Sequence, residues 1–303
     1  MARSLKPFSL LVGSLGFLFF PFLPAESTRP PVAPPIRLLF GGDVMLARHV
    51  YLEAKRHQDP AWPFRRIAAQ FRAADIAFVN LESPFAETPP YFEDRMVFRA
   101  HPAVVEGLTS AGIDVVSTAN NHARDAGARG IGFTIEHLRS NGIIPVGTTG
   151  EPAIVERKGV RFGFLAYTFD QRNGNHSTDD PRVSMLDLKT IARDVRDLRA
   201  RADVAIVSMH AGYEYHTRPN RQQIRFARAA IDAGASLVVG HHPHVVQPLE
   251  RYKDGVILYS LGNLVFDQRQ EKGVLQQAIA EIVFSGPRMT EARLIEIAGW
   301  ESK

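Results

Sequence analysis

The stretch Ile36-Arg-Leu-Leu-Phe-Gly-Gly-Asp43 decides the fold. A short apolar run ends in a glycine pair and a carboxylate, which is how a buried strand hands the chain to a loop at its carboxyl end. The same order recurs along the chain. Ile76–Val79 leads into Asn80-Leu81-Glu82, Val115–Ser117 into Asn120-Asn121-His122, Val204–Val207 into His210, and Leu237–Val239 into Gly240-His241-His242-Pro243-His244. Phe162–Tyr167 and Val256–Tyr259 are further strand-like runs. Between them lie segments of helical period: Ile191, Val195 and Leu198 share one face of Asp187–Arg201, and Ile224, Ala227 and Ile231 share one face of Asn220–Ala233. Strands alternating with helices predict an α/β architecture. Leu275–Phe284 and Ala292–Ile297 predict that the domain closes on β structure. In open α/β sheets the site lies at the carboxyl ends of the strands, so five strand ends should deliver Asp, Glu, Asn and His side chains to one rim.

The 303 residues, 45% apolar and 22% charged, suffice for one large domain and exclude general disorder. The net charge of +4 is too weak a bias to argue for nucleic acid. There is no cysteine, which rules out disulfides, thiolate zinc, iron–sulfur clusters and a thiol nucleophile. Any metal must therefore sit on His, Asp, Glu or Asn, ligands that suit Mn, Fe, Zn or Mg. Each element alone has an ordinary structural reading. An Asp after Gly-Gly also starts turns, His242 and His244 around a proline also suit a turn, and the Asn120-Asn121 pair also supplies turn geometry. Five such elements in order point to a metal centre. No Walker loop, dinucleotide fingerprint or Gly-x-Ser-x-Gly elbow is present, which removes nucleotide-driven polymerisation from the possible activities.

Arg3 and Lys6 precede an uncharged run from Pro7 to Pro24, the basic-then-apolar order of an export signal. The expectation is a signal peptide over 1–25, cleaved after Ala25 or retained as a membrane anchor. The proline-rich 26–35 then reads as a stiff spacer, and 36–303 as one domain outside the cytoplasmic membrane, in the periplasm or beyond.

Taken together, Gly42-Asp43, Asn80-Leu-Glu82, Asn120-Asn-His122 with Asp125, His210-Ala-Gly-Tyr-Glu214, His242-Pro-His244 and Tyr259-Ser-Leu-Gly-Asn263-Leu-Val-Phe-Asp267 resemble a family. It is the CapA/PgsA family of bacterial capsule synthesis proteins of poly-γ-glutamate production, itself similar to calcineurin-like metallophosphoesterases. The resemblance spans about Arg37 to Gln268 and implies a four-layer α/β/β/α sandwich with one or two divalent metals at one edge. It makes Asp43 a ligand of the first metal, reached also by His244, and Glu82 the bridge. Asn120, His210 and His242 become ligands of the second metal. His122 becomes the acid that protonates a leaving oxygen, oriented by Asp125; the plain alternative is that these two residues close a turn. One departure stands out: the broader phosphoesterases supply Asp-x-His, whereas this chain has Asp43-Val44-Met45. A thioether is a poor ligand for a hard cation, so Met45 should pack or leave its place to water, and the first site should be the weaker; two equally tight metals would instead point to His49 in the gap. Glu82 also stands where the broader pattern has Asp.

Three functions follow as expectations. The first is an exported metal-dependent phosphoester hydrolase serving synthesis or export of an anionic capsule polymer. The second is a membrane-tethered accessory subunit that binds polymer or membrane-embedded synthase subunits without turnover. The third is an amide hydrolase of poly-γ-glutamate. Arg48 and Arg99 read equally as receivers of an anionic substrate and as ion-pair residues, and Glu214 and Asn263 equally as pocket and turn residues.

Overall fold

The computed structural model describes residues 34–91, 96–169, 182–269, 271 and 273–300. The expected signal segment and most of the proline-rich spacer lie outside the described residues. Among the described residues no helix is long and apolar enough to cross a membrane.

In chain order the elements are β1 (Ile36–Val44), α1 (Arg48–Arg56), α2 (Ala68–Arg72), β2 (Ile76–Leu81), α3 (Val105–Ala111), β3 (Val115–Ser117), α4 (Gly127–Ser140), β4 (Ile144–Val146), β5 (Ala153–Arg157) and β6 (Val160–Thr168). There follow α5 (Leu188–Arg199), β7 (Val204–His210), α6 (Arg221–Asp232), β8 (Leu237–His241), β9 (Leu249–Tyr252), β10 (Gly255–Leu258), β11 (Asn263–Val265), β12 (Gln277–Ser285) and β13 (Arg288–Ile297). One sheet runs β13-β12-β1-β2-β3-β4, with β11 pairing beside the end of β1; the other runs β5-β6-β7-β8-β10-β9. β1 to β4 are mutually parallel, as are β6, β7, β8 and β10, so their carboxyl ends face one way within each sheet.

Strand alternation explains the layers. Along β1, Ile36, Leu38 and Phe40 enter the apolar layer between the sheets, while Leu39 faces the helices. On the second sheet Phe162, Phe164, Val204 and Ile206 face inward, and Ala205, Val207 and Val238 turn to α5 and α6. Both faces of each central strand are thus covered, which is why these strands read as continuous apolar runs. Phe78 sits at the middle, 5.6 Å from Phe40 and 5.8 Å from Phe164 between ring centroids. Each such buried ring contributes about 2–3 kcal/mol of burial. Helices α1 to α4 cover the first sheet through Val50, Phe71, Leu108 and Leu138; α5 and α6 cover the second through Ile191, Val195, Leu198, Phe226 and Ala230. The result is the expected four-layer α/β/β/α sandwich.

Asp187 and Asn220 were expected inside helices and instead cap them. Asp187 accepts from the N–H groups of Lys189 and Thr190, and Asn220 forms a reciprocal capping box with Gln223. The strands extend past their apolar runs: β1 continues to Val44, β2 to Leu81, β7 to His210 and β8 to His241. Backbone pairing persists where the side chains have already turned polar, and those added residues furnish much of the rim.

Candidate metal centre

Asp43 reaches the centre because β1 makes a close pass. A Cβ on Gly42 would stand 1.9 Å from the carbonyl oxygen of Gly262, so only glycine lets β1 approach. The N–H of Asp43 donates to that carbonyl at 3.0 Å, and Asn263 becomes the register partner of Asp43. Gly240 serves β8 in the same way, since a Cβ there would lie 2.0 Å from the carbonyl oxygen of Tyr259. Glu82 follows β2, with its N–H held by the carbonyl of Val44 at 2.7 Å. His210 ends β7. His242 and His244 flank Pro243 in the turn after β8, with φ of 95° and 59°. Arg48, Tyr215, His242 and His244 are four of the seven non-glycine residues with positive φ among the described residues. Strain of this kind costs of order 1–3 kcal/mol per residue and concentrates where side chains must be aimed.

Two sets of ligand atoms result, each gathered within 4.8 Å: Glu82 with His210 and His242, and Asp43 with Glu82 and His244. Glu82 belongs to both. Its carboxylate is fully buried and neither oxygen has a hydrogen-bond partner. Nε2 of His210, His122 and His244 stand 3.7, 3.9 and 3.9 Å from Oε1. A buried carboxylate without hydrogen bonds is costly unless a cation compensates it, and oxygen and imidazole donors around a shared carboxylate fit divalent metal. The donor set therefore suits metal, with Glu82 as the element common to two positions.

The charges are arranged to match. Burial, then Asp43, Glu214 and Asp125, push the Glu82 carboxyl well above its ordinary range when no cation is beside it. Burial also opposes ionisation of Asp43, but His241 and His244 close to its oxygens outweigh burial and hold it well below the usual range. Burial, then the neighbouring His242, depress His210, which favours the neutral imidazole, the form able to ligate metal.

The two asparagines divide. Asn120 donates from Nδ2 to the carbonyl of Leu81 at 2.8 Å and to Asn80 Oδ1 at 3.3 Å, while its Oδ1 accepts from the N–H of His122 at 3.1 Å. These bonds tie its amide to the loop. Asn121 instead places Oδ1 2.8 Å from His210 Nε2, so of the two asparagines it is Asn121 that stands against that imidazole. The dipeptide offered no way to choose between them.

His122 Nδ1 lies 2.7 Å from Asp125 Oδ2, an oxygen that also accepts from the N–H of Phe98. This leaves Nε2 directed at Glu82. Asn263 Oδ1 meets His244 Nδ1 at 2.9 Å, fixing that ring from behind in the manner of outer partners of metal-ligating histidines. Asn80, which carried no expectation, donates to Asp43 Oδ1 at 2.8 Å and lies 3.2 Å from His210 Nδ1. His241 is fully buried with Nδ1 3.5 Å from Asp43 Oδ1. Met45 packs in the helix-side core, and its sulfur accepts from the N–H of Ala47 at 3.1 Å. His49 is largely exposed at the start of α1 and enters neither ligand set.

A two-sheet sandwich with buried carboxylates and imidazoles meeting at the strand ends is a metallophosphoesterase-like fold. The chain belongs to the family of bacterial capsule synthesis proteins PGA_cap, whose model matches residues 37–268. It is 32% identical over 247 residues to the capsule biosynthesis protein CapA of Bacillus anthracis, covering 75% of this chain and 59% of that one. It is 33% identical over 240 residues to the PGA biosynthesis protein CapA of Bacillus subtilis, covering 76% and 63%. The chain thus spans about six tenths of the length of these relatives. Among solved structures, a candidate 5′-nucleotidase of Staphylococcus aureus superposes with a TM-score of 0.54 at 12% identity, over 88% of this chain and 55% of that one, a likeness of fold.

Proposed function

We propose that this chain is an exported, metal-dependent phosphoester hydrolase acting in the synthesis or export of an anionic capsule polymer of the poly-γ-glutamate type. The observation that carries the reading is Glu82, a buried carboxylate with no hydrogen-bond partner shared by two ligand sets, next to a His122–Asp125 pair. Asp43, Glu82 and His244 would hold one cation, and Glu82, His210, His242 and Asn121 the other. Bound divalent metal supplies charge neutralisation at the phosphoryl oxygens and a more acidic water.

The chain's own residues do the rest. Asp125 accepts the Nδ1 proton of His122, so the imidazole presents Nε2 to the centre, where a proton on that atom can pass to a leaving alkoxide. Asn263 holds His244 in the ring orientation that faces Glu82. Burial of Asp43, Glu82 and His210 keeps competing water from their donor atoms. The capsule context rests on family membership and on the names of the relatives.

Those names speak of biosynthesis and favour one second reading, an accessory subunit that uses the same rim to bind polymer or membrane-embedded synthase subunits without turnover. The retained His122–Asp125 pair favours turnover. Purified full chain, reconstituted with Mn²⁺, Zn²⁺ or Fe²⁺ and assayed on phosphomonoesters and phosphodiesters, decides between them. Metal-dependent hydrolysis supports the first reading; tight metal binding with no turnover on any phosphoester supports the second.

A further inference from the structure

Arg48 opens α1 with a φ of 47°, a left-handed conformation that is unfavourable for a residue with a Cβ. Asp267 holds it there. Oδ2 takes Nε at 3.2 Å, Oδ1 takes Nη2, and Oδ2 also accepts from the N–H of His49 at 3.1 Å, capping a helix that lacks a side-chain cap of its own. The guanidinium lies over two rings, with Cζ 4.6 Å from the centroid of Phe98 and 6.0 Å from that of Phe266. These rings pack on the metal centre itself. Phe98 stacks on His122 at 3.9 Å, and Phe266 meets His244 edge-on at 4.9 Å.

The ion pair uses only one edge of the guanidinium. Nη1 is bonded to no oxygen of the described residues but approaches the sulfur of Met96 at 4.0 Å, and the side chain keeps 17% of its surface exposed. Arg99 turns Nη2 to the carbonyl of Thr88 at 2.9 Å. A fixed, planar, permanently charged group with an edge that no oxygen of the described residues takes is suited to a carboxylate or phosphate oxygen. The Phe98 ring contacts both the guanidinium and the His122 imidazole, which sets the charged group beside the centre.

We propose that Arg48 is a substrate-binding residue whose Nη1 edge receives a second anionic group of a substrate whose phosphoryl group lies at the metal centre beside His122. The centre then selects substrates bearing two neighbouring anionic groups, as a segment of an anionic polymer does. Asp267 is the positioning residue that keeps the guanidinium over Phe98. The inference rests on the phosphoester reading above.

The test uses the full chain loaded with Mn²⁺ and calorimetric titration with two probes: inorganic phosphate, and 3-phosphoglycerate, whose carboxylate lies a short spacer from its phosphate. Wild type should bind 3-phosphoglycerate at least about tenfold more tightly than phosphate. Arg48→Gln and Arg48→Lys should both lose that preference while phosphate affinity and metal content stay unchanged; the Lys variant keeps the charge beside Asp267 and guards against loss of folding. Equal affinity of wild type for the two probes, or a preference that survives both substitutions, overturns the inference and leaves the phosphoester reading in place. Failure of metal-loaded wild type to bind either probe overturns both.

Discussion

His122 and Asp125 are joined by a 2.7 Å contact between Nδ1 and Oδ2, and the same Asp125 oxygen receives the backbone N–H of Phe98, the residue whose ring stacks on His122. The imidazole is therefore fixed both in its plane and across its face. A positioned acid is the reading that uses both constraints.

If His122 protonates the leaving oxygen, His122→Ala should lower turnover about 10²–10⁴-fold on an alkyl phosphoester and far less on an activated phenyl ester, since only the former needs a proton. Asp125→Asn should show the same selectivity with a smaller loss. Steady-state kinetics on the paired substrates measures it, with metal content expected to stay constant. An equal loss on both substrates removes His122 from the acid role.

The neighbouring asparagines should separate cleanly. Asn121→Ala should weaken retention of the metal beside His210, read by chelator titration, with little change in stability. Asn120→Ala should instead cost about 1–3 kcal/mol in urea unfolding, because it leaves the Leu81 carbonyl and the His122 N–H without partners. The opposite pattern would restore Asn120 as the ligand.

Most of the layering was legible in the sequence, because strands covered on both faces are apolar throughout and cannot be mistaken for loops. What escaped was short or polar. β4 spans only Ile144–Val146 around a proline, β9 carries Glu250 and Arg251, and β11 is the three-residue Asn263–Val265. The rim was legible as an ordered set of ligand types, whereas side-chain direction was not. Asn120 and Asn121 are chemically identical and face different partners, and only the backbone turn after β3 distinguishes them. Asn80 and His241 were hidden for another reason: each sits at a strand end, where a polar residue reads as the start of a loop although β2 and β8 include it. Met45 behaved as the chemistry of a thioether predicts, packed inward with its sulfur on a backbone N–H.

Stability should fall in acid through Glu281. Hydrogen bonds from Arg37, then from Arg293, hold its carboxyl below the ordinary 4.5 against the opposing effect of burial. The Nε donors lie 3.0 and 2.7 Å from its oxygens and tie β1 and β13 to β12. A carboxyl depressed on folding stabilises fully above its unfolded value and loses that contribution as the pH drops through the folded value. Glu281→Gln should therefore cost about 1–2 kcal/mol near pH 7, allowing for half-exposed arginines, and progressively less as the pH falls below the ordinary 4.5 and through the folded value. Urea midpoints across that range check it; a pH-independent cost contradicts it.

Export is the remaining expectation to be tested. Arg3 and Lys6 should keep the start of the chain inside and send Ile36 onward across the membrane. A reporter enzyme that is active only in the cytoplasm, fused after Lys303, should be silent in cells that produce the protein. Full reporter activity overturns the topology.

The central claim is that one carboxylate, Glu82, serves two metal positions. Elemental analysis of the full chain equilibrated with limiting divalent metal, for wild type, Glu82→Gln and His210→Ala, tests it most directly. Wild type should retain divalent metal in two classes of affinity, the tighter beside His210 where Asn121 adds a donor. His210→Ala should empty only that class, and Glu82→Gln should empty both together. Wild-type metal content in Glu82→Gln would contradict the account.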